Sequence, residues 1–315
     1  MNAARPIFWR AFSPLALQLA PRMQSYMRAP GARDFKAWLY KTIFDPYTNL
    51  STERFIATSV FGSRFDGRLS NVVQRSIFHF GVFEPNLTAW IGRRLKPGDV
   101  FIDVGANVGY FSLLASRLVG DDGVVVALEP APSTFAALER NITLNAANNV
   151  RAVQLAAYDR VAMLPLYSIP EEEAAGGASL VRTVGPAEAD VSAAPLGDVL
   201  TRDEIRRARI IKIDVEGAEE SVVRGMLPIL DRLRNDVELV IEVVSATFAP
   251  VLRHFANTGF HCYLLQNPMD PLALGSSNAE TARRIPDAAH EPPGYDPHGV
   301  AYVILSRCNT ETLGS

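Results

Sequence analysis

Acids and glycines recur in this chain at spacings suited to holding a small ligand and moving a proton. Asp103 interrupts an apolar run, Val100 to Val104, and a turn of the form Gly-x-Asn-x-Gly follows as Gly105, Asn107 and Gly109. A second apolar run, Val124 to Leu128, closes on Glu129 and Pro130. An acid about twenty residues past such a turn is placed to grip a pair of ribose hydroxyls. Farther along, Ile210-Ile-Lys-Ile-Asp-Val-Glu puts Lys212, Asp214 and Glu216 on one face of a strand by period two. Three polar groups beside so apolar a run are costly in a buried sheet unless they pair or serve a site. Glu242 lies at the carboxyl end of another apolar run, Val237 to Val244.

Charge narrows the ligand. A phosphate-binding loop needs Lys and then Ser or Thr after its second glycine, whereas Tyr110 and Phe111 follow Gly109. A dinucleotide site uses Gly-x-Gly-x-x-Gly, so that bare backbone and a helix N-terminus meet an anionic pyrophosphate. Asp103 beside the turn would repel that group and suits S-adenosylmethionine, which carries a sulfonium, an ammonium and no phosphate. A glycine turn that only packs a helix on a strand accounts for the glycines but not for the flanking acids.

The blocks D-V-G-A-N-V-G-Y-F-S from Asp103, L-E-P ending at Pro130 and I-K-I-D-V-E-G-A-E from Ile211 resemble the FkbM family of S-adenosylmethionine-dependent methyltransferases. The resemblance runs over roughly Leu95 to Glu242 as ordered blocks. It implies a Rossmann-like class I methyltransferase fold, a seven-stranded, mostly parallel sheet flanked by helices. It also implies O-methylation of a hydroxyl on a sugar, glycan, polyketide or related metabolite. Glu84 falls where the family carries an upstream acid toward the amino-acid end of the donor, although a solvated acid at a helix start reads nearly as well. Ala157, after a third strand, falls where the adenine ring is met; Asp159 beside it reads equally as a partner for the adenine amine or as a loop acid. The expected donor-binding residues are therefore Glu84, Asp103, Gly105, Asn107, Gly109, Glu129 and Ala157. The expected catalytic residues are Asp214 as base, then Glu216 and Glu242, with an ion pair to Lys212 as the structural reading of Asp214 and Glu216. Carboxylates in one crevice also suit Mg²⁺ or Ca²⁺, but the family needs no metal and none is assigned. Two positions depart from the family pattern. Val244 stands where a histidine is common, and Leu196-Gly197-Asp198 replaces Leu-Asp-Asp, so Asp198 receives no role.

The surrounding elements must bring these residues together. Strand, turn, helix and strand over 98–130 form a βαβ unit. A helix from Ser133, its N-cap, to Asn145 leads to a strand at 150–156. Further strands follow at 210–217, 237–244, 260–265 and 300–306, with a helix over 251–258. Residues 1–84 read as an N-terminal extension of short helices and a β-hairpin, the latter turning at Phe65-Asp66-Gly67. Residues 85–315 read as the methyltransferase domain, with its family-like core about 95–265. The irregular stretch 266–299, rich in proline, reads as a lid or acceptor loop. Glu171 to Ala178 reads as an exposed hairpin tip.

With 315 residues, 48% of them hydrophobic, the chain can bury one large core. A net charge of −3 without a long Lys/Arg run argues against nucleic acid. The two cysteines, Cys262 and Cys308, are too few for a disulfide framework. No apolar run reaches the length of a transmembrane segment, and Pro14 and Gln18 break a would-be signal core. The expectation is a cytoplasmic enzyme with a small-molecule or glycan acceptor, its homo-oligomerisation left open. An NAD(P)-dependent oxidoreductase and a non-catalytic donor-binding scaffold are the rival readings. Residues 1–50, with scattered aromatics and arginines, are suited to capping the core, binding a partner or touching a membrane surface.

Overall fold

The computed structural model describes residues 22, 24–27, 29, 31–40, 42, 54–69, 71–168, 178–181, 187–243, 245–256, 258–267, 281–285 and 300–313. The tip at 171–177, most of 266–299 and the Val244 position lie outside the described residues. Described residues up to Phe83 belong to one compact unit and those from Glu84 onward to another.

In the first unit, helix α1 (Arg33–Leu39) precedes strands β1 (Arg54–Thr58) and β2 (Arg64–Arg68) and helix α2 (Val72–Phe80). The strands pair antiparallel, Arg54 opposite Arg68 and Thr58 opposite Arg64. The hairpin therefore turns through Ser59 to Ser63, and Phe65-Asp66-Gly67 lie within β2, correcting the expected turn. Gly67 is a packing glycine. A Cβ there would stand 2.8 Å from the Phe55 ring and 2.9 Å from Gln74 Oε1. The residues after Leu69 are helical rather than extended. Asn71 caps α2 by accepting from the Gln74 amide at 3.0 Å, and Gly81 ends it with φ 71°.

The second unit is a Rossmann-like class I methyltransferase fold. In chain order it holds α3 (Pro85–Arg94), β3 (Val100–Val104), α4 (Tyr110–Val119), β4 (Val124–Leu128), α5 (Pro132–Leu144), β5 (Val150–Val153), β6 (Ala156–Ala157), β7 (Ala162–Ser168), β8 (Ala178–Ser179) and β9 (Ala187–Ala194). Then come α6 (Leu196–Val199), α7 (Arg202–Arg207), β10 (Ala208–Ile213), α8 (Glu219–Met226), β11 (Glu238–Val243), α9 (Ser245–Arg253), β12 (His261–Asn267), β13 (Ala282–Arg284), β14 (Val300–Ser306) and β15 (Thr312–Leu313). The main sheet runs β15-β13-β12-β14-β11-β10-β3-β4-β5. Seven strands from β12 to β5 form its body, and the short β13 and β15 extend one edge. Strands β5, β4, β3, β10 and β11 pair in parallel, and β14 inserts antiparallel between β11 and β12.

Helices on both faces explain why β3 and β10 are buried at every residue and read as near-continuous apolar runs. Their facing side chains, among them Ile102, Val104, Ile211, Ile213, Leu239 and Ile241, make the main core. At the amino end of the sheet the buried Glu238 pairs with both Arg94 and Arg209, tying α3 and β10 to β11. The parallel strands point their carboxyl ends to one edge, where open α/β sheets place ligands.

Some local boundaries differ from expectation. Pro132, not Ser133, opens α5, and Ala131 precedes it without a side-chain cap. The strand expected at 150–156 is broken between Val153 and Ala156, because β6 leaves the main sheet to pair with β9. The helix expected over 251–258 lies earlier, at Ser245–Arg253.

Candidate functional site

The glycine turn is built by close backbone approach. Gly105 has φ 78°, and a Cβ on it would run into the carbonyl oxygen of Asp214. Its amide and that of Ala106 donate to the Leu128 carbonyl at 3.0 and 2.9 Å, and the Asp214 amide donates to the Val104 carbonyl at 3.0 Å. The first and second chemical blocks are thus locked against each other through their backbones. Asn107 has φ 51°, eased by its own Oδ1 accepting from the Val108 amide at 2.8 Å. Gly109, φ 88°, opens α4 where any Cβ would strike Leu138.

Glu129 closes the turn from the β4 side. Its two carboxylate oxygens accept from the amides of Asn107 at 2.9 Å and Ala131 at 3.0 Å. Burial pushes its proton affinity up, to a pKa of about 7, against those two hydrogen bonds.

A second group of side chains gathers at the carboxyl ends of β3, β10 and β11 and the amino end of the antiparallel β14. Lys212, only 2% exposed, stands opposite Asp103 across the β10–β3 pairing. Its Nζ lies 2.9 Å from Asp214 Oδ2, 3.7 Å from Asp103 Oδ1 and 5.2 Å from the centre of the Phe111 ring. Burial opposes its charge, but Asp214 and Asp103 outweigh burial and raise its pKa. Asp103 is fully buried; Ser112 donates to its Oδ2 at 2.6 Å, and its Oδ1 accepts no hydrogen bond. Burial raises its pKa, with Lys212 and Ser112 pulling the other way.

Asp214 is the point where these contacts meet. Its side chain keeps 21% exposure, at the edge of the sheet where the parallel strands end. Burial would raise its pKa, but Lys212 and hydrogen bonds from Glu242 and Tyr302 win and hold it below the usual carboxylate range. Glu242 is driven well above that range by burial and by the Asp214 charge. Its hydrogen bond with Asp214 favours the protonated form of Glu242. The Tyr302 hydroxyl donates to Glu84 Oε2 at 2.7 Å and stands 3.4 Å from Asp214 Oδ2. Tyr302 also sits across from Glu242 in the β11–β14 pairing. Glu84 holds φ 42° just before Pro85 opens α3. Burial and the Asp214 charge lift it to a pKa of about 8.

The structure therefore brings Glu84, Asp103, Asp214 and Glu242 into one cluster, and places Gly105, Asn107, Gly109 and Glu129 in the adjoining turn. Glu216 has left the strand. Strand β10 ends at Ile213, and Glu216 takes φ 54° before Gly217 at 106°. The period-two face accordingly stops short of it. Its carbonyl accepts from Ser179 Oγ at 2.7 Å, while its charge still reaches Glu84 and Glu242. Ala157 lies buried in the core on β6. Asp159 is engaged by Arg160 and Arg224. Tyr302, Ser112 and Ser179 escaped sequence reasoning. For Tyr302 the available signal was the phenol inside Val300-Ala-Tyr-Val-Ile-Leu-Ser306; the two serines carried none.

Strand order and an acid-flanked glycine turn together define a class I methyltransferase. The family model for the methyltransferase FkbM domain matches residues 103–262, and the chain belongs to that family. It is 31% identical over 223 residues to the 31-O-demethyl-FK506 methyltransferase FkbM of Streptomyces tacrolimicus, covering 61% of this chain and 83% of that one. It is 31% identical over 186 residues to methyltransferase sdnD of Sordaria araneosa, covering 49% of this chain and 68% of that one. Among solved structures, a methyltransferase FkbM from Methylobacillus flagellatus KT superposes with a TM-score of 0.41 at 13% identity, covering 93% of this chain and 60% of that one.

The raised carboxyls give the protein a pH signature. In the unfolded chain Glu84 and Glu129 ionise near the ordinary glutamate value of 4.5; in the folded protein they do so near 8 and 7. Between these limits the folded state binds more protons, so stability falls as pH rises through the window and levels off above about 8. The loss should amount to about 1–3 kcal/mol once Glu84 is discounted for its contact with solvent. Urea unfolding at pH 5 and pH 8 measures it. Equal stability at both pH values would show that these carboxyls are not perturbed.

Proposed function

We propose that this chain transfers a methyl group from S-adenosylmethionine to a hydroxyl of a sugar, glycan, polyketide or related metabolite. The observation carrying this reading is the imbalance of charge at the site. Five carboxyls, Glu84, Asp103, Glu129, Asp214 and Glu242, crowd around Lys212, and all but Asp214 are raised by burial or by each other's charge. A cationic ligand relieves that crowding, whereas a pyrophosphate would meet it as like charge. Bound there, S-adenosylmethionine supplies an electrophilic methyl on a positively charged sulfur.

The chain's own residues do the rest. Glu129 is poised for the ribose hydroxyls, since each of its oxygens accepts one backbone amide and keeps further acceptor capacity. Asp103 and Glu84 offset cationic charge, the latter through the carboxyl that Tyr302 orients. Ala157 is retained as a backbone contact for the adenine. Asp214 faces the cleft as a carboxylate and accepts the hydroxyl proton. Glu242 keeps Asp214 in place by donating to it, and Glu216 adds negative charge at the cleft's edge. A base held within hydrogen-bond reach contributes about 10²–10⁴-fold to such a step, and alignment of the reacting atoms contributes much of the remainder. Neutral polyhydroxyl acceptors suit so acidic a cleft better than phosphorylated ones.

The test is transfer of labelled methyl from the donor into a neutral polyhydroxyl fraction of a cell extract. Label is expected with wild type and absent with Asp214→Ala. Label confined to amines, or equal labelling by both proteins, contradicts the assignment.

A further inference from the structure

The first unit carries a helix turned inside out. In α1 the cationic Lys36 is buried, its ammonium bonded to the Ala29 carbonyl and held 5.1 Å from the Tyr26 ring centre. The large apolar residues face solvent instead: Phe35 and Trp38 are each 53% exposed and stack at 5.8 Å, and Tyr26 is 41% exposed. A soluble surface seldom arranges a short helix this way, because the aromatic side chains are those that gain most from burial. Contiguous exposed apolar groups mark a surface that meets something else.

Charge indicates what that is. Residues 1–50 contain Arg5, Arg10, Arg22, Arg28, Arg33, Lys36 and Lys41 against Asp34 and Asp45 alone, a net of plus five, or plus four without the buried Lys36, in a chain whose total is −3. Two of the chain's three tryptophans, Trp9 and Trp38, lie in the same stretch. Exposed aromatics in so basic a segment match a bilayer interface, where rings settle at headgroup depth and cations meet anionic lipid. Stacking of nucleobases on exposed aromatics is the competing use of such a surface; the chain's total charge of −3 disfavours it, and competition by RNA tests it.

We propose that the surface formed by Tyr26, Phe35 and Trp38, within a segment whose sequence carries a net positive charge, docks the protein on an anionic membrane surface. No described helix is long and apolar enough to cross a membrane, so the contact is peripheral and reversible. Each basic side chain near the lipid adds modest attraction that falls off within a screening length.

The experiment is co-sedimentation of the full chain with vesicles of phosphatidylglycerol and phosphatidylcholine in about equal amounts, alongside vesicles of phosphatidylcholine alone. Binding is expected to the anionic vesicles only. Raising NaCl from about 0.1 M to about 1 M, which shortens the screening length from ~10 Å to ~3 Å, should release most of it. The double variant Phe35→Ala, Trp38→Ala should bind about tenfold more weakly, with its binding of S-adenosylhomocysteine matching wild type as the check on folding. Four results would overturn the proposal: no binding to anionic vesicles, equal binding to both vesicle types, a double variant that binds like wild type, or release of the vesicles by an equimolar RNA oligonucleotide. A concentration-dependent dimer abolished by the same double variant would assign the surface to self-association instead.

Discussion

Replacing Lys212 with methionine should destabilise the protein by about 3–5 kcal/mol, the cost of breaking a buried ion pair from one side. The Lys212 side chain is buried with its ammonium over the Phe111 ring, and methionine preserves most of its volume. What is lost is the ammonium 2.9 Å from Asp214 and 3.7 Å from Asp103. Asp103 has Ser112 as its remaining partner and is fully buried, so it must take up a proton or remain an uncompensated charge. Asp214 loses the largest influence opposing burial and its pKa should rise. Urea unfolding of Lys212→Met against wild type checks this. A difference within about 1 kcal/mol would mean that Lys212 is not the charge on which the cluster balances.

The second large effect concerns catalysis. Asp214→Asn should lower kcat by about 10²–10⁴-fold, the span expected for loss of a general base, with donor affinity changed only severalfold. Glu242→Gln should retain activity within about tenfold, since the amide still donates to Asp214 as the protonated acid does. The contrast between two adjacent carboxyls is the informative part. Both are half-buried at the ends of neighbouring parallel strands, but their environments push them apart, Asp214 toward the ionised form and Glu242 toward the protonated one. Groups driven apart in this way separate into base and support. Should Glu242→Gln be the inactive variant and Asp214→Asn the active one, the roles are reversed.

The donor half of the site was legible because its requirements are local. A backbone approach close enough to exclude a Cβ leaves a glycine in the text, as at Gly105 and Gly109, and a buried acid interrupts an apolar strand, as Asp103 does. The polar run around Lys212 was legible for the same reason, and the pairing of Lys212 with Asp103 follows from strand order once β10 and β3 are neighbours. Tyr302 was not legible. A tyrosine inside an apolar strand reads as core, and its hydroxyl finds Glu84 only through a contact spanning most of the second unit's chain length. Gly67 misled in the opposite direction. Glycine reads as a turn, yet here it makes room for the Phe55 ring and the Gln74 side chain within a strand. Glu216 was expected to continue the strand's alternation, but Gly217 and two successive positive φ values take the chain out of the sheet first. The start of α5 had Pro132 as its only marker, and the neighbouring serine looked like the better cap.

Calorimetric titration with S-adenosylhomocysteine and, separately, with NAD⁺ tests the central claim most directly, that the acidic turn site holds a methyl donor. S-adenosylhomocysteine keeps the ribose, the adenine and the ammonium and lacks only the transferable methyl and, with it, the sulfonium charge. The account predicts saturable one-to-one binding of S-adenosylhomocysteine, a raised unfolding temperature in its presence, and strong weakening by Glu129→Ala. It predicts no binding of NAD⁺, whose pyrophosphate would face Asp103. Saturable binding of NAD⁺ with none of S-adenosylhomocysteine would contradict it.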